Sequence, residues 1–471
     1  MLTKIIATIT EHYDEKKLID INHAWVHVVR INFTHNSPAL ADPLIKRIHK
    51  LNKEKLTNLS ILLDTKGPEI RTGVREEKMI VKKNQTISIF VDQAKVNPES
   101  DLFCDYPEII SDVKEWQEII IDSGLLTVVV KEKHKDHLVV KALSDATIGS
   151  RRHINLPGVK LSLPAMIDKD KEDILFGIKA WISFVAASFV RTAENVNEIR
   201  GFLNKNWWEH IKIISKIENQ EAIENLDWIV KLSDWVMVAR WDLWIELPIH
   251  KLPTYQKDIL DVCFKYGKPV IVATELLKSM VESPFPTRAE VSDVYNSVIM
   301  RTDAVMLSDE TTIWKYPIKA VEYMKKIVKE AEKTTNNKHK DFEILEKDEL
   351  NFLKKAIARH SLMLADEIKA KMIVVFSHSW NLAKYMSSFK PNVPVISFTT
   401  DEQVYRSLEI NYGIWSEKIT KLWKHSTENQ EIALNVLKEK WMIKKWDYVI
   451  VAWEKIIDTK HQQQVRIITI D

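Results

Sequence analysis

The residues able to do chemistry in this chain gather at the ends of short apolar runs. VHVVRINF (26–33) carries Arg30 and Asn32 and leads into Thr34 and His35. SILLDT (60–65) ends in Asp64 and Thr65 and continues to Lys66 and Arg71. IKIISKIE (211–218) carries Lys216 and Glu218, and WVMVAR (235–240) leads through Arg240 to Asp242. PVIVATE (269–275) ends in Thr274 and Glu275, and AVMLSDE (304–310) in Ser308 and Glu310. Charged residues are almost never fully buried without partners. Strand ends that bring both signs together therefore point to a metal and an anion held in one place. Glu218 and Asp242 are hard oxygen ligands of the kind that suits Mg²⁺ or Mn²⁺. Arg30, Arg71 and Lys216 are the cations that a phosphoryl group or a carboxylate requires. Any one of these residues is equally at home as a helix cap or salt-bridge partner, and only the set separates the two readings.

Those runs belong to a series of eight, completed by KIIATIT (4–10) and ISFVAASF (182–189). Near-continuous hydrophobicity fits strands buried on both faces of a parallel sheet. The stretches between them, such as PALADPLIKRIHKLNKE, AENVNEIRGFLNK and RAEVSDVYNSVIM, read as amphipathic helices. Eight strand–helix units predict an α/β chain built on a (β/α)₈ TIM barrel, whose chemistry sits where the strands end. A doubly wound open sheet is the alternative. The barrel spans 1–67 and 167–340, interrupted at 68–166 by alternating pieces such as KMIVKKNQTISIFV and EIIIDSGLLTVVV. That insert predicts a small β-barrel lid domain. A polar linker, EKTTNNKHKDFEILEKDE, precedes a second α/β domain over 350–471, of the regulatory type.

Lys+Arg numbers 68 and Asp+Glu 66, a net charge of +2 that excludes a polybasic nucleic-acid or membrane binder. With 45% hydrophobic and 28% charged residues the chain is globular, not disordered. Two cysteines make no disulfide framework, MLTKIIATIT is too short for a signal peptide, and no apolar run reaches membrane-spanning length. A cytoplasmic protein is expected. The histidines show no metal-ligand spacing, and Cys263 lies on an amphipathic helix as a core residue does.

Nine segments in order, among them LLDTKGPEIRTG, NLPGVKLSLPA, IISKIENQEAIENLD, VMVARWDLWIELP and PTRAEVSDVYNSV, resemble the pyruvate kinase family across essentially the whole chain. The resemblance implies transfer of the phosphoryl group of phosphoenolpyruvate to ADP, giving pyruvate and ATP in glycolysis. It implies that Glu218 and Asp242 hold Mg²⁺ or Mn²⁺, and that Asn32, Thr34, Asp64 and Thr65 bind K⁺. Lys216, Arg30, Thr274, Ser308 and Glu310 fall at catalytic positions of the family. Arg30, Lys216, Trp241, Asp242 and Thr274 fall at substrate-binding ones, and His35, Arg71 and Lys169 on the nucleotide side. Glu69, in KGPEIR, matches the K⁺-dependent members, where K⁺-independent ones tend to carry lysine. A homotetramer is implied, and FSHSWNLAKYMSSFKP loosely resembles the segment where some members bind a phosphorylated effector.

The chain departs from the family in telling places. ITEHYD replaces TIGPAS after the first strand, Thr34 replaces a serine, and Ala222, Arg301 and Asp309 replace glycines. Glycine numbers only 9 and tryptophan 16 in 471 residues, where about 7% glycine is usual. Thirteen tryptophans stand where the family has glycine: Trp25, Trp116, Trp181, Trp207, Trp208, Trp235, Trp241, Trp244, Trp314, Trp380, Trp441, Trp446 and Trp453. The expectation is that most are glycine in the living cell, the gene coming from a lineage that reads UGA as glycine. If they are tryptophan, a catalytically inactive homologue acting as a binding protein is the alternative. A different phosphoenolpyruvate-handling barrel enzyme is a third reading, disfavoured by the inserted lid.

Overall fold

Eight parallel strands close into a barrel in a computed structural model that describes residues 1–471 apart from 313–314, 336, 340–341, 345–347, 377–380, 422–425 and 458–459. The side chains of 426–427, 454–457 and 460–462 are likewise outside the description. Trp314, Trp380 and part of the FSHSWNLAKYMSSFKP segment fall outside the described residues. The barrel strands are Lys4–Thr8, Val26–Asn32, Ser60–Asp64, Phe184–Ala187, Lys212–Ile217, Trp235–Ala239, Val270–Ala273 and Ala304–Leu307. Each pairs with the next in sequence, and Lys4 opposite Ala304 closes the ring, which excludes the open-sheet alternative. Phe184, Ile214, Met237 and Ile271 fill the interior, so the barrel is a packed core.

Local sequence explains the helices between the strands. Thr287 caps Arg288–Ile299 in a capping box, its backbone N–H donating to Glu290 Oε2 at 2.7 Å. Thr192 and Asn195 do the same for Ala193–Lys205. Apolar residues at helical spacing, such as Val196, Ile199 and Leu203, face the barrel and are buried.

Between the third and fourth barrel strands the chain builds a curled six-stranded sheet from Thr86–Phe90, Asp101–Phe103, Glu118–Ile121, Leu126–Lys133, His137–Ala142 and Ile154–Asn155. A two-stranded pair, Met79–Val81 with Ala146–Ile148, accompanies it. This lid domain has its own apolar core, including Ile89, Leu102, Ile119 and Val128.

The C-terminal α/β domain carries a five-stranded sheet in the order Ile414–Lys418, Val395–Thr399, Met372–Phe376, Tyr448–Ile457, Lys460–Thr469, with only the last pair antiparallel. It meets the N-terminal end of the barrel, opposite the polar strand ends. There Lys390 Nζ lies 2.6 Å from Asp303, and Gly413 N–H donates to Leu2 O at 2.8 Å. Strand Ile414–Lys418 escaped the sequence reading because it is an edge strand with alternating burial and a polar end.

Candidate active site

The polar strand ends converge on a cleft of about 300 Å³ at the C-terminal mouth of the barrel. Its floor is an ion cluster. Arg30 Nε donates to Asp64 Oδ2 at 2.6 Å, while Lys216 Nζ lies 3.2 Å from Asp64 Oδ1 and 2.9 Å from Glu218 Oε1. The second and third strands are adjacent, with Asn32 in register with Asp64, whereas Lys216 reaches Asp64 from the fifth strand across the barrel mouth. Burial alone would lower the Lys216 ammonium, yet the Asp64 and Glu218 carboxylates hold it well above the usual lysine range. Burial likewise opposes ionisation of Asp64, and Arg30 and Lys216 overcome it, keeping the carboxyl below its ordinary value.

Asp242 differs. It sits in the first turn of the short helix Arg240–Glu246, and burial followed by the neighbouring Glu218 carboxylate pushes it up to about 7. Glu218 Oε2 accepts the Phe189 N–H at 2.6 Å, whereas the buried Oε1 takes no hydrogen bond of good geometry. Two adjacent buried carboxylates, one of them facing the Lys216 ammonium, are the hard oxygen donors that suit a divalent cation. Among the described residues no group of three or more His, Cys, Asp or Glu could hold a metal.

Thr274 stands just past its strand with φ at +68°, and Glu275 follows at +53°. Such left-handed backbone in non-glycine residues is uncommon and concentrates at functional sites. The Thr274 hydroxyl accepts the Trp241 N–H at 2.9 Å and donates to Ala273 O at 2.7 Å. Glu310 spends both oxygens on backbone, accepting Ser308 N–H at 2.8 Å and Leu277 N–H at 3.1 Å. It thereby ties the loop after Thr274 to the eighth strand, and leaves the buried Ser308 hydroxyl without a partner.

The other sequence-expected residues divide. Asn32, Thr34 and His35 line the cleft together with Glu69. Asp64 and Thr65 lie buried beneath it, with Thr65 Oγ1 accepting Ser188 N–H at 3.2 Å. Asn32 Oδ1 accepts the Thr34 N–H at 3.1 Å. Arg71 does not line the cleft. It pairs with Glu69 at 2.7 Å and donates to Arg151 O at 2.9 Å, where the chain enters and leaves the lid. Lys169 is also outside, donating to Phe33 O at 3.0 Å and paired with Asp173.

Ser188 was missed. It follows the fourth strand, accepts from Lys216 Nζ at 2.8 Å and donates to Thr65 O at 2.7 Å. The polar-strand-end rule, extended to ISFVAASF, would have singled it out. Lys278 and Asp309 form an ion pair on the cleft rim, where the sequence marks Asp309 only as replacing a family glycine.

Comparison with known proteins gives one family throughout. Residues 1–321 match the model of the pyruvate kinase barrel domain, and residues 355–468 that of the pyruvate kinase alpha/beta domain. A pyruvate kinase of Borreliella burgdorferi is 36% identical over 456 residues, covering 96% of this chain and 93% of its own. One from Clostridium perfringens is 35% identical over 453 residues, covering 96% and 95%. The crystal structure of a pyruvate kinase from Cryptosporidium parvum superposes with a TM-score of 0.94 at 32% identity, covering 100% of this chain and 96% of its own.

Proposed function

The chain belongs to the pyruvate kinase family of phosphotransferases, and from that premise we propose that it moves the phosphoryl group of phosphoenolpyruvate to ADP at the barrel mouth. The observation that carries this reading is the buried cluster of Arg30, Asp64, Lys216 and Glu218, which presents fixed positive charge beside a carboxylate pair.

In the reaction the bond from phosphorus to the enol oxygen breaks and a bond to a terminal oxygen of ADP forms. The resulting enolate takes a proton at its methylene carbon to become pyruvate. Arg30 and Lys216 bind the phosphoryl oxygens, and Lys216 also faces the charge that develops on the enolate oxygen. Preorganised charge at such an oxygen is usually the largest catalytic contribution. Asp64 and Ser188 hold Lys216 in place. Thr274, fixed by its bonds to Ala273 O and Trp241 N–H, stands where a proton can be passed to the carbon. Ser308 and Glu310 shape the loop that carries Thr274. The start of Arg240–Glu246, at Trp241 and Asp242, faces the substrate carboxylate. Glu218 and Asp242 would hold a divalent cation, Mg²⁺ or Mn²⁺, which when bound would neutralise charge on substrate and phosphoryl oxygens.

K⁺ is assigned to Asn32, Thr34, Asp64 and Thr65, with Glu69 keeping the neighbourhood from being positively charged. His35, Arg71 and Lys169 are assigned to the nucleotide side, Arg71 being carried at the root of the lid of residues 68–166. Closure would exclude water from a transfer dominated by positioning and electrostatics. A homotetrameric, cytoplasmic enzyme fits the family, and a phosphorylated effector of the C-terminal domain is part of the proposal. Pyruvate release from phosphoenolpyruvate and ADP in the presence of Mg²⁺ and K⁺ tests the reading. Absence of pyruvate from a folded, metal-loaded protein overturns it.

A further inference from the structure

Tryptophan occupies backbone positions in this chain that fit glycine. Among the described residues, Trp25, Trp116, Trp181, Trp207, Trp441 and Trp446 have φ between +56° and +100°. Five of the nine glycines lie in the same region, at φ between +61° and +92°. The 14 phenylalanines and 11 tyrosines, the other large aromatics, contribute one residue to it, Phe189. A bulky side chain at positive φ is a conformational outlier, whereas glycine enters that region freely.

Three of the six close helices in one recurring way. Trp181, Trp207 and Trp441 follow the helices Asp168–Lys179, Ala193–Lys205 and Ser426–Glu439. The next residue then donates its N–H five positions back. Ile182 bonds Gly177 O at 3.2 Å, Trp208 bonds Leu203 O at 3.1 Å, and Met442 bonds Leu437 O at 2.9 Å. Gly267 closes helix Leu252–Lys265 identically at φ +61°, with Lys268 N–H on Cys263 O at 2.8 Å. This helix stop favours glycine because of its left-handed residue. Lys55, Lys369 and Arg301 take positive φ too, but with slender unbranched side chains.

The indoles gain little in return. Trp441 is 93% exposed and Trp207 89%, so large apolar side chains stand in water at strained sites. Trp25, Trp244 and Trp453 do meet neighbouring rings or cations, but their ring nitrogens are left unpaired. The Nε1–H groups of Trp25, Trp244 and Trp453 are buried without an acceptor, although buried tryptophan usually finds one.

We propose that Trp25, Trp116, Trp181, Trp207, Trp244, Trp441, Trp446 and Trp453 are glycine in the protein as its own cell makes it. The gene's UGA codons are read there as glycine, and tryptophan stands in the sequence through a code that reads UGA as tryptophan. Glycine at these eight positions removes, among the described residues, every left-handed tryptophan and the three orphaned buried indole N–H groups together. Trp241, on the rim of the cleft, belongs to the same family-glycine set, and its replacement would widen the substrate entrance.

Two measurements test this. Peptide mass spectrometry of the protein purified from its source organism should give glycine masses at the eight positions; tryptophan masses, or UGG codons in the gene, overturn the proposal. The second is thermal denaturation of the full chain carrying glycine at the six left-handed positions against the same chain carrying alanine there. Both remove the indole, but only glycine relieves the backbone. The glycine chain should melt at least about 5 °C above the alanine chain, summed over six sites. Equal midpoints, or a parent chain as stable as the glycine chain, would show that the positions do not demand glycine.

Discussion

Asp64 Oδ1 lies 3.2 Å from Lys216 Nζ, so a carboxylate expected among the monovalent-cation ligands also fixes the central ammonium of the cleft. Arg30 occupies its other oxygen at 2.6 Å. Asp64 is fully buried, and it stands between the cations of the second and fifth barrel strands, Arg30 and Lys216, which without it would lose their shared carboxylate. The site is thus built as an alternating array of charges whose order is set by strand register.

Replacing Lys216 by alanine should lower turnover by roughly 10³-fold or more, because it removes charge aimed at the developing oxyanion. The fold should survive, since Asp64 keeps Arg30 as a partner and Glu218 keeps the Phe189 N–H. Pyruvate release and circular dichroism on the same preparation check both halves. Turnover within tenfold of the parent would remove Lys216 from the chemistry.

Activity should require K⁺ as well as Mg²⁺. Glu69 is 6% exposed at its side chain and balanced by Arg71 at 2.7 Å and His153 at 3.3 Å, so this position supplies a carboxylate and not an ammonium that could replace the ion. A bound cation is then the largest local charge available beside Asn32 and Thr34. Exchanging K⁺ for tetramethylammonium at constant ionic strength should reduce turnover by at least about tenfold. Undiminished activity in that buffer contradicts the assignment.

The barrel was legible because eight apolar runs at regular spacing have few other uses, and the cluster was legible because charge at buried strand ends demands partners. Lys216, Glu218 and Asp242 could be picked out on those grounds alone. Ser188 lay within reach of the same rule, as the polar residue at the end of ISFVAASF, but Phe189 did not, since it contributes a backbone N–H to Glu218 that no side-chain type announces. Spacing also left hidden that Arg71 and Lys169 turn toward Glu69 and Asp173 and away from the cleft. The direction of a long side chain, in a loop as for Arg71 or in the first turn of a helix as for Lys169, depends on partners that no periodicity encodes. The edge strand Ile414–Lys418 was missed for a related reason, its half-solvated face resembling a loop.

Lys390 and Asp303 join the C-terminal domain to the base of the barrel through a buried pair at 2.6 Å, and Asp303 also accepts the Val270 N–H at 2.9 Å. Removing one partner of such a pair strands the other charge, typically at about 3–5 kcal/mol. Lys390→Met should therefore lower the melting temperature markedly. The double variant Lys390→Met, Asp303→Asn should recover part of the loss, because no uncompensated charge remains. Calorimetry of the three proteins decides. A single variant that melts with the parent would mean that water already solvates the pair.

The last prediction concerns Lys4, which begins the first strand opposite Ala304 and is 1% exposed. Its ammonium donates to Ile414 O and lies 5.6 Å from the Trp415 ring. Burial lowers it to about 8, with Glu409 and Glu332 only partly offsetting the shift. An unfolded lysine titrates near about 10.4. Between those values the folded chain binds fewer protons than the unfolded one, so this group's contribution to stability rises with pH, by at most about 1.4 kcal/mol per unit. Below pH 8 both states are protonated and the slope vanishes. Lys4→Met has no such proton to lose. Stability measured by denaturant titration at pH 8, 9 and 10 should therefore rise in the parent relative to Lys4→Met. The buried thiols Cys104 and Cys263, which burial raises in both proteins, cancel from the comparison. Parallel profiles for the two proteins would place Lys4 in contact with water, and its charge outside the balance that holds the two domains together.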